Sequence, residues 1–236
     1  LEKAVKLLPQ KYEPLYHRGL SLLSLARYPD AVDAFTAAIS LAPENPELWY
    51  QKGTGLARME QHQPAAAAFE KAITIRSEDS RFHLGLARTF VALDKNGDAV
   101  NSFNNIIERY PDDAVAWHEK GRALYWLKQY QESLAALEKA HSLDPENNDI
   151  LFNLAASQLA IGRPAEAVDS YHTLLQRKPD SCPALHGLGT ALSRMDRLEE
   201  ALEACDHALR IQADYFDALH LRARILDLLG RLEEAV

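Results

Sequence analysis

Cysteine is scarce in this chain: only Cys182 and Cys205 occur in 236 residues. Two are too few for a disulfide framework, and they fall at different places in the pattern described below, so both read as free thiols. Long apolar runs are missing too. No stretch approaches the roughly 20 residues that cross a bilayer, and the first residues do not read as a secretory leader. Basic charge is in deficit, with 26 Lys and Arg against 34 Asp and Glu and a net of -8 with histidine neutral. A chain of that sign repels phosphate backbones, which argues against nucleic acid as a partner. Metal-ligand spacing is missing: the nine histidines include no i, i+4 pair and there is no Cys-x-x-Cys. Gly53-Thr54-Gly55 and Gly187-Leu188-Gly189 fall inside predicted helices rather than after a strand, so neither reads as a phosphate loop. We expect no cofactor, no metal and a cytoplasmic location.

What the chain has is a period. Ala31, Phe35 and Pro43 return 34 residues on as Ala65, Phe69 and Ser77, then as Ala99, Phe103 and Pro111. They return again as Ser133, Leu137 and Pro145, as Ala167, Tyr171 and Pro179, and as Ala201, Cys205 and Ala213. A fixed period of this length marks one small unit stacked on itself rather than a globe around a catalytic pocket. With Tyr12 as position 1, complete units span 12–45, 46–79, 80–113, 114–147, 148–181 and 182–215. Residues 216–236 form a partial unit. Residues 1–11 read as the second helix of a preceding one, since Leu1, Ala4 and Pro9 stand where Phe35, Ala38 and Pro43 do. We read one continuous array, an excerpt cut inside a repeat at both ends.

Each unit reads as two helices. Leu48, Trp49, Gly53, Leu56 and Ala57 make one apolar stripe at helical spacing, and Ala65, Ala68, Phe69, Ala72 and Ile73 make another. Gly162 and Gly230 read as helix stops, Pro29 and Pro64 as helix starts, and Asn96-Gly97 as a turn. Pro43, Pro111, Pro145 and Pro179 follow second helices, which they cannot continue. Position 8 (Gly19, Gly53, Ala87, Gly121, Ala155, Gly189) and position 20 are always small, which lets the two helices of a unit approach closely. Position 24 is mostly large and should plug the gap between units.

These residues resemble the tetratricopeptide repeat (TPR) family. Unit 114–147 supplies Trp117, Gly121, Leu124, Ser133, Leu137, Ala140 and Pro145 at that family's signature positions, and unit 46–79 supplies Trp49, Gly53, Leu56, Ala65, Phe69 and Ala72. Ser77 departs at the proline position, and Arg18, Lys52 and Lys120 depart at position 7, as a partly exposed site tolerates. The resemblance implies an all-α fold, a right-handed superhelical solenoid of antiparallel helix pairs. It also implies a concave groove, lined by first helices, that holds a peptide or a partner's helix.

Positions 4, 8 and 11 read as the buried stripe of the first helix. Positions 5 and 9 lie about 100° around from it and one turn apart, and in the resemblance they face the groove. Position 5 carries Tyr16, Tyr50, Leu84, His118, Phe152, His186 and His220. Position 9 carries Arg88, Arg122 and Arg224 among Leu, Thr and Ala. Such a face suits a peptide with acidic and apolar residues, with the arginines pairing its acids and the histidines tightening the grip once protonated near about 6.5. The bland alternative is an ordinary solvated helix face. The Lys–Asn pair of the chaperone-tail clamp is absent. Only Asn153 matches the position-6 asparagines of arrays on sugar-transferring enzymes.

Other chemistry reads as structural. Cys205 stands at position 24 and should be buried and inert, while Cys182 begins a helix whose dipole should lower its pKa. Glu199-Glu200 and Glu233-Glu234 sit where a helix dipole favours acids, and Tyr125-Trp126 reads as core packing, with a groove-edge contact as the alternative. The function implied is a non-enzymatic scaffold that binds protein or peptide. One alternative is a substrate-presenting arm of a larger enzyme or of a secretion or assembly complex. A distant one is a rod built by end-to-end self-association of truncated repeats. If position 24 is the plug, Phe103→Ala lowers unfolding free energy by roughly 3–5 kcal/mol in a urea titration. A loss under about 1 kcal/mol, far below that cost of truncating a buried ring, would show the register to be wrong.

Overall fold

The computed structural model describes residues 11–231 and Glu233, so Leu1, Ala4, Pro9 and Glu234 lie outside the described residues. It is all-α, with no strand among those residues. The helices are α1 (Glu13–Ser24), α2 (Tyr28–Leu41), α3 (Pro46–Arg58), α4 (His62–Ile75), α5 (Ser80–Ala92), α6 (Asn96–Arg109), α7 (Ala114–Trp126), α8 (Tyr130–Leu143), α9 (Asn148–Ala160), α10 (Pro164–Arg177), α11 (Cys182–Arg194), α12 (Leu198–Ile211) and α13 (Phe216–Leu228). The chain divides into two compact units, one up to Ala116 and one from Trp117 onward, with the division inside α7.

Local chemistry sets the helix ends. Oδ1 of Asn45, Asp79 and Asn147 accepts the backbone N–H of Glu47, Arg81 and Asp149, each at 3.1 Å, and so satisfies a donor that the first turn leaves open. Three residues join the two helices of a hairpin, and the middle one is left-handed. These are Ala26, Glu60, Asp94, Lys128 and Asp196, with φ between 54° and 61°, and Gly162 and Gly230 at 80° and 72°. The next N–H then reaches back to the last helical turn, as Arg27 N–H does to Leu22 O at 2.9 Å and Gln129 N–H to Leu124 O at 3.0 Å. Gly162 and Gly230 are therefore helix stops, as read from sequence. Asn96-Gly97 is not a turn: both residues belong to α6, because the closing bonds place the left-handed residue two positions earlier, at Asp94.

The carbonyl at position 32 ties neighbouring hairpins together. Pro43 O accepts Trp49 Nε1–H at 2.8 Å, and Ser77 O accepts His83 Nε2–H at 2.9 Å together with the Arg109 guanidinium. In the second unit, Pro145 O accepts from Arg177 at 3.0 Å. A proline or serine there serves equally well, since only the carbonyl is used.

Position 24 is the packing centre. Phe35, Phe69, Phe103, Leu137, Tyr171 and Cys205 are all 2% exposed or less. A Cβ on Gly19 would stand 2.5 Å from the Phe35 ring, and one on Gly121 would stand 2.6 Å from Leu137. Phe69 is held on two sides: a Cβ on Gly53, in its own hairpin, or on Gly85, in the next, would come within 2.9 or 2.7 Å of it. Tyr171 lies against Gly187 of the next hairpin in the same way. Positions 20 and 8 also meet directly, where Ser133 Oγ–H donates to Gly121 O at 2.8 Å.

Position 3 (Leu48, Phe82, Ala116, Ile150, Ala184, Ala218) adds to the stripe read from the sequence and is essentially sealed, at 1% exposure or less. Position 4 divides: Leu151 and Leu185 are buried, as expected, whereas Trp49, His83 and Trp117 are only half-buried. These larger rings lie at the edge of the seam, where the indole N–H of Trp49 reaches the preceding turn. The position-7 lysines use that edge: Nζ of Lys52 lies 5.7 Å from the Trp49 ring centroid and Nζ of Lys120 lies 5.0 Å from that of Trp117. Burial holds the Lys120 ammonium below its ordinary pKa.

A left-handed alanine costs roughly 1–2 kcal/mol relative to its relaxed backbone. Glycine removes that cost and gives part of it back as unfolded-chain freedom. Ala26→Gly should therefore stabilise the protein by about 0.5–1 kcal/mol in chemical denaturation. A destabilised variant would contradict this account of the turn.

Candidate functional site

Three of the position-5 rings do not stand free on the surface. Tyr16, Tyr50 and Phe152 lean on the plugs of their own hairpins, with ring centroids 6.2 Å apart for Tyr16 and Phe35, 5.8 Å for Tyr50 and Phe69, and 6.0 Å for Phe152 and Tyr171. Tyr50 also meets Phe82 at 5.3 Å, with the Arg81 guanidinium 5.2 Å from its ring centroid. Arg81 in turn bridges Asp79 and Glu47 at 2.7 and 3.0 Å, and its hydrogen bonds hold the Asp79 carboxyl below its usual pKa. These rings therefore belong half to the core, and only their outer edges remain for a ligand.

In the second unit, sequence-predicted residues gather around two adjoining cavities of about 300 Å³ each. His118, Arg122, Asp149, Phe152 and Asn153 line the polar one. Arg122, Tyr125, Trp126, Leu137, Phe152, Asn153 and Ala156 line the apolar one, so Arg122, Phe152 and Asn153 form the shared wall. Asn153 Nδ2 lies 2.8 Å from both Asp149 O and His118 Nε2. An amide nitrogen only donates, so His118 Nε2 accepts and carries no proton in this arrangement. Arg122 pairs with Glu119 at 3.0 Å. The arginine is thus partly compensated on its own helix by an exposed pair.

Trp126 is the residue that the 5-and-9 pattern does not contain. It is 67% exposed, at the end of α7, so the expectation of core packing for Tyr125-Trp126 is wrong for the indole. Tyr125 is half-buried and meets Trp126 edge-on at 6.1 Å and Tyr130 at 5.2 Å. The signal was available: adding one more turn to positions 5 and 9 gives position 13, which is Trp126 in this repeat and Arg58 in unit 46–79.

The remaining candidates lie elsewhere. In the first unit, Tyr50 and Arg88 line a separate cavity, which Tyr16 does not reach. His186 packs against Tyr215 at 6.3 Å, and burial lowers its pKa against the opposing pull of Asp217. It is therefore not the rung protonated near neutrality that the sequence suggested. His220 stacks on Phe216 at 6.4 Å, and both are exposed, as is Arg224. Cys182 is buried with Sγ 3.7 Å from Ala208 O rather than presented at its helix end, and burial pushes the Cys205 thiol up to about 12. Glu200 is held by Arg197 as an exposed i, i+3 pair. No group of residues suited to a metal ion occurs among the described residues, and no described helix is long and apolar enough to cross a membrane.

Family models described as tetratricopeptide repeats match residues 16–81 and 84–141, 124–192, and 180–236. The chain belongs to the tetratricopeptide repeat family. It is 32% identical over 95 residues to superkiller complex protein 3 of Mus musculus, covering 40% of this chain and 6% of that one. It is also 32% identical over 92 residues to the peroxisomal targeting signal receptor of Kluyveromyces lactis, covering 39% and 16%. The matched segments are thus small parts of much longer proteins. Among solved structures, YrrB, described as a TPR protein with an unusual peptide-binding site, aligns at TM-score 0.69 and 23% identity over 80% of this chain and 97% of its own. PilW, a type IV pilus biogenesis factor, aligns at TM-score 0.75 and 15% identity over 89% and 96%. At these identities the structures share a fold with this TPR chain, one used generally for protein–protein interaction.

A half-buried imidazole of lowered pKa, as at His186, binds its proton later than the unfolded chain does. Acidification below about 6.5 therefore charges the unfolded state first and costs stability. The His186 NMR titration should have its midpoint below 6.5, and His186→Phe should lose less stability between about pH 7.5 and 5.5 than the parent. A midpoint at or above 6.5 would contradict the burial.

Proposed function

We propose that this TPR chain is a non-catalytic binding module for a protein or peptide, and that the α7–α9 face of its second unit seats a large apolar side chain of the ligand. The observation that carries this reading is Trp126, an indole 67% exposed on the rim of a cavity walled by Tyr125, Leu137, Phe152 and Ala156. Exposed aromatics beside apolar cavities are the commonest anchors of protein interfaces. The shared wall of Arg122 and Asn153 supplies polar groups that orient a peptide backbone. The free thiols Cys182 and Cys205 support a reducing compartment such as the cytoplasm. A second reading, an arm that presents a substrate within a larger assembly, is favoured by relatives of which this chain spans only 6–16%.

Panning random twelve-residue peptides on the chain, followed by fluorescence anisotropy, tests the reading. Selected peptides should share a large apolar residue. Trp126→Ala should weaken them by about 2 kcal/mol, roughly 30-fold, without lowering the melting temperature. Equal binding by the variant would remove this cavity from the site.

A further inference from the structure

The cavity beside Trp126 is apolar on every side but one. Tyr125, Trp126 and Phe152 give it three aromatic rings, and Leu137 and Ala156 complete the apolar lining. Asn153 and Arg122 close the remaining side, where it adjoins the polar cavity.

The neighbours of Asn153 settle which way its amide faces. Nδ2 lies 2.8 Å from Asp149 O and 2.8 Å from His118 Nε2. A reversed amide would set its oxygen against the Asp149 carbonyl, two acceptors with no proton between them, so the nitrogen occupies that place. Both of its protons are then spent. His118 and Asp149 line the polar cavity and not the apolar one. The nitrogen therefore turns to the polar side, and Oδ1, the other end of the amide, is left to the apolar side. No hydrogen bond reaches Oδ1 among the described residues. An acceptor in such a wall loses its water when the cavity fills, and that loss is made good only if the occupant brings a donor.

Arg122 adds a second condition. It pairs with Glu119 at 3.0 Å through Nη1. Guanidinium N–H bonds lie in the plane of the group, so this pair leaves the flat face for an aromatic ring.

We infer that the occupant is a tryptophan of the peptide ligand, its indole N–H donating to Asn153 Oδ1 and its ring lying among Tyr125, Trp126 and Phe152. This inference rests on the peptide-binding reading above and names the side chain that the apolar seat takes. Indole is large and aromatic, donates one hydrogen bond and accepts none, which is what a lone acceptor in an aromatic wall requires. It is also the ring that a guanidinium favours most. Phenylalanine or leucine would fill the space and leave Oδ1 dry and unmatched.

The probe is an uncharged seven-residue peptide, acetyl-Gly-Ser-Gly-Trp-Gly-Ser-Gly-amide. In the control, benzothienylalanine replaces tryptophan, with sulfur in place of the indole N–H and nearly the same shape. Titrated at millimolar concentration into the isotopically labelled chain, the tryptophan peptide should shift the side-chain amide signals of Asn153 and the indole N–H signal of Trp126. It should bind about fivefold tighter than the control, the worth of one hydrogen bond. In Asn153→Leu the two peptides should bind equally. In Asn153→Asp, which keeps an acceptor oxygen, the preference should persist. Structural damage alone would weaken both peptides alike and leave their ratio in Asn153→Leu at the parent value, and that result would overturn the inference. Equal binding of the two peptides to the parent, or no shift at either residue, would overturn it too. If that happens while panned peptides still bind in a Trp126-dependent way, only the tryptophan falls and the apolar seat stands. If panned peptides bind without need of Trp126, both fall.

Discussion

The fold depends on one contact: a large side chain at position 24 pressed onto backbone that has no side chain of its own. Phe69 is the fullest case, with Gly53 of its own hairpin on one side and Gly85 of the next on the other. Glycine inside a helix costs about 1 kcal/mol against alanine. A fully buried phenylalanine returns more than that, about 1.5–3 kcal/mol from burial alone. The exchange explains why weak helix formers recur in the middle of α3 and α5. It also explains why the hairpins stack, since the ring belongs to two of them at once.

Function follows from what that contact leaves over. The plug draws the position-5 aromatics down onto it, so Tyr16, Tyr50 and Phe152 serve the core first and expose only their edges. Side chains one and two turns further along the same face escape this pull. Trp126 and Arg58, both at position 13, reach cavities with most or part of their surface available. The two cavities differ in lining: one has an indole at its rim, and the other lies among Tyr50, Phe69, Arg58 and Arg88.

Much of the architecture was legible because it is periodic. Gly19, Gly53 and Gly121, the plug residues, and the prolines after second helices each state a local requirement, and 34-residue repetition makes a chance match untenable. Legibility failed where the cause was not local. Asn96-Gly97 carries a turn signal, yet the closing hydrogen bond from Lys95 to Phe90 puts the left-handed residue at Asp94. Trp126 looked like core because tryptophan usually is, but it falls off the seam at a helix end.

From the sequence alone come the helical hairpin, its period and the identity of its packing seam, because each depends on residue size and backbone preference at fixed spacing. Only the tertiary structure decides which polar groups are already spent and which side chains overhang a cavity. Those outcomes depend on distances between side chains of different helices, such as His118 to Asn153 or Arg58 and Arg88 across one hollow, and no spacing along the chain encodes them.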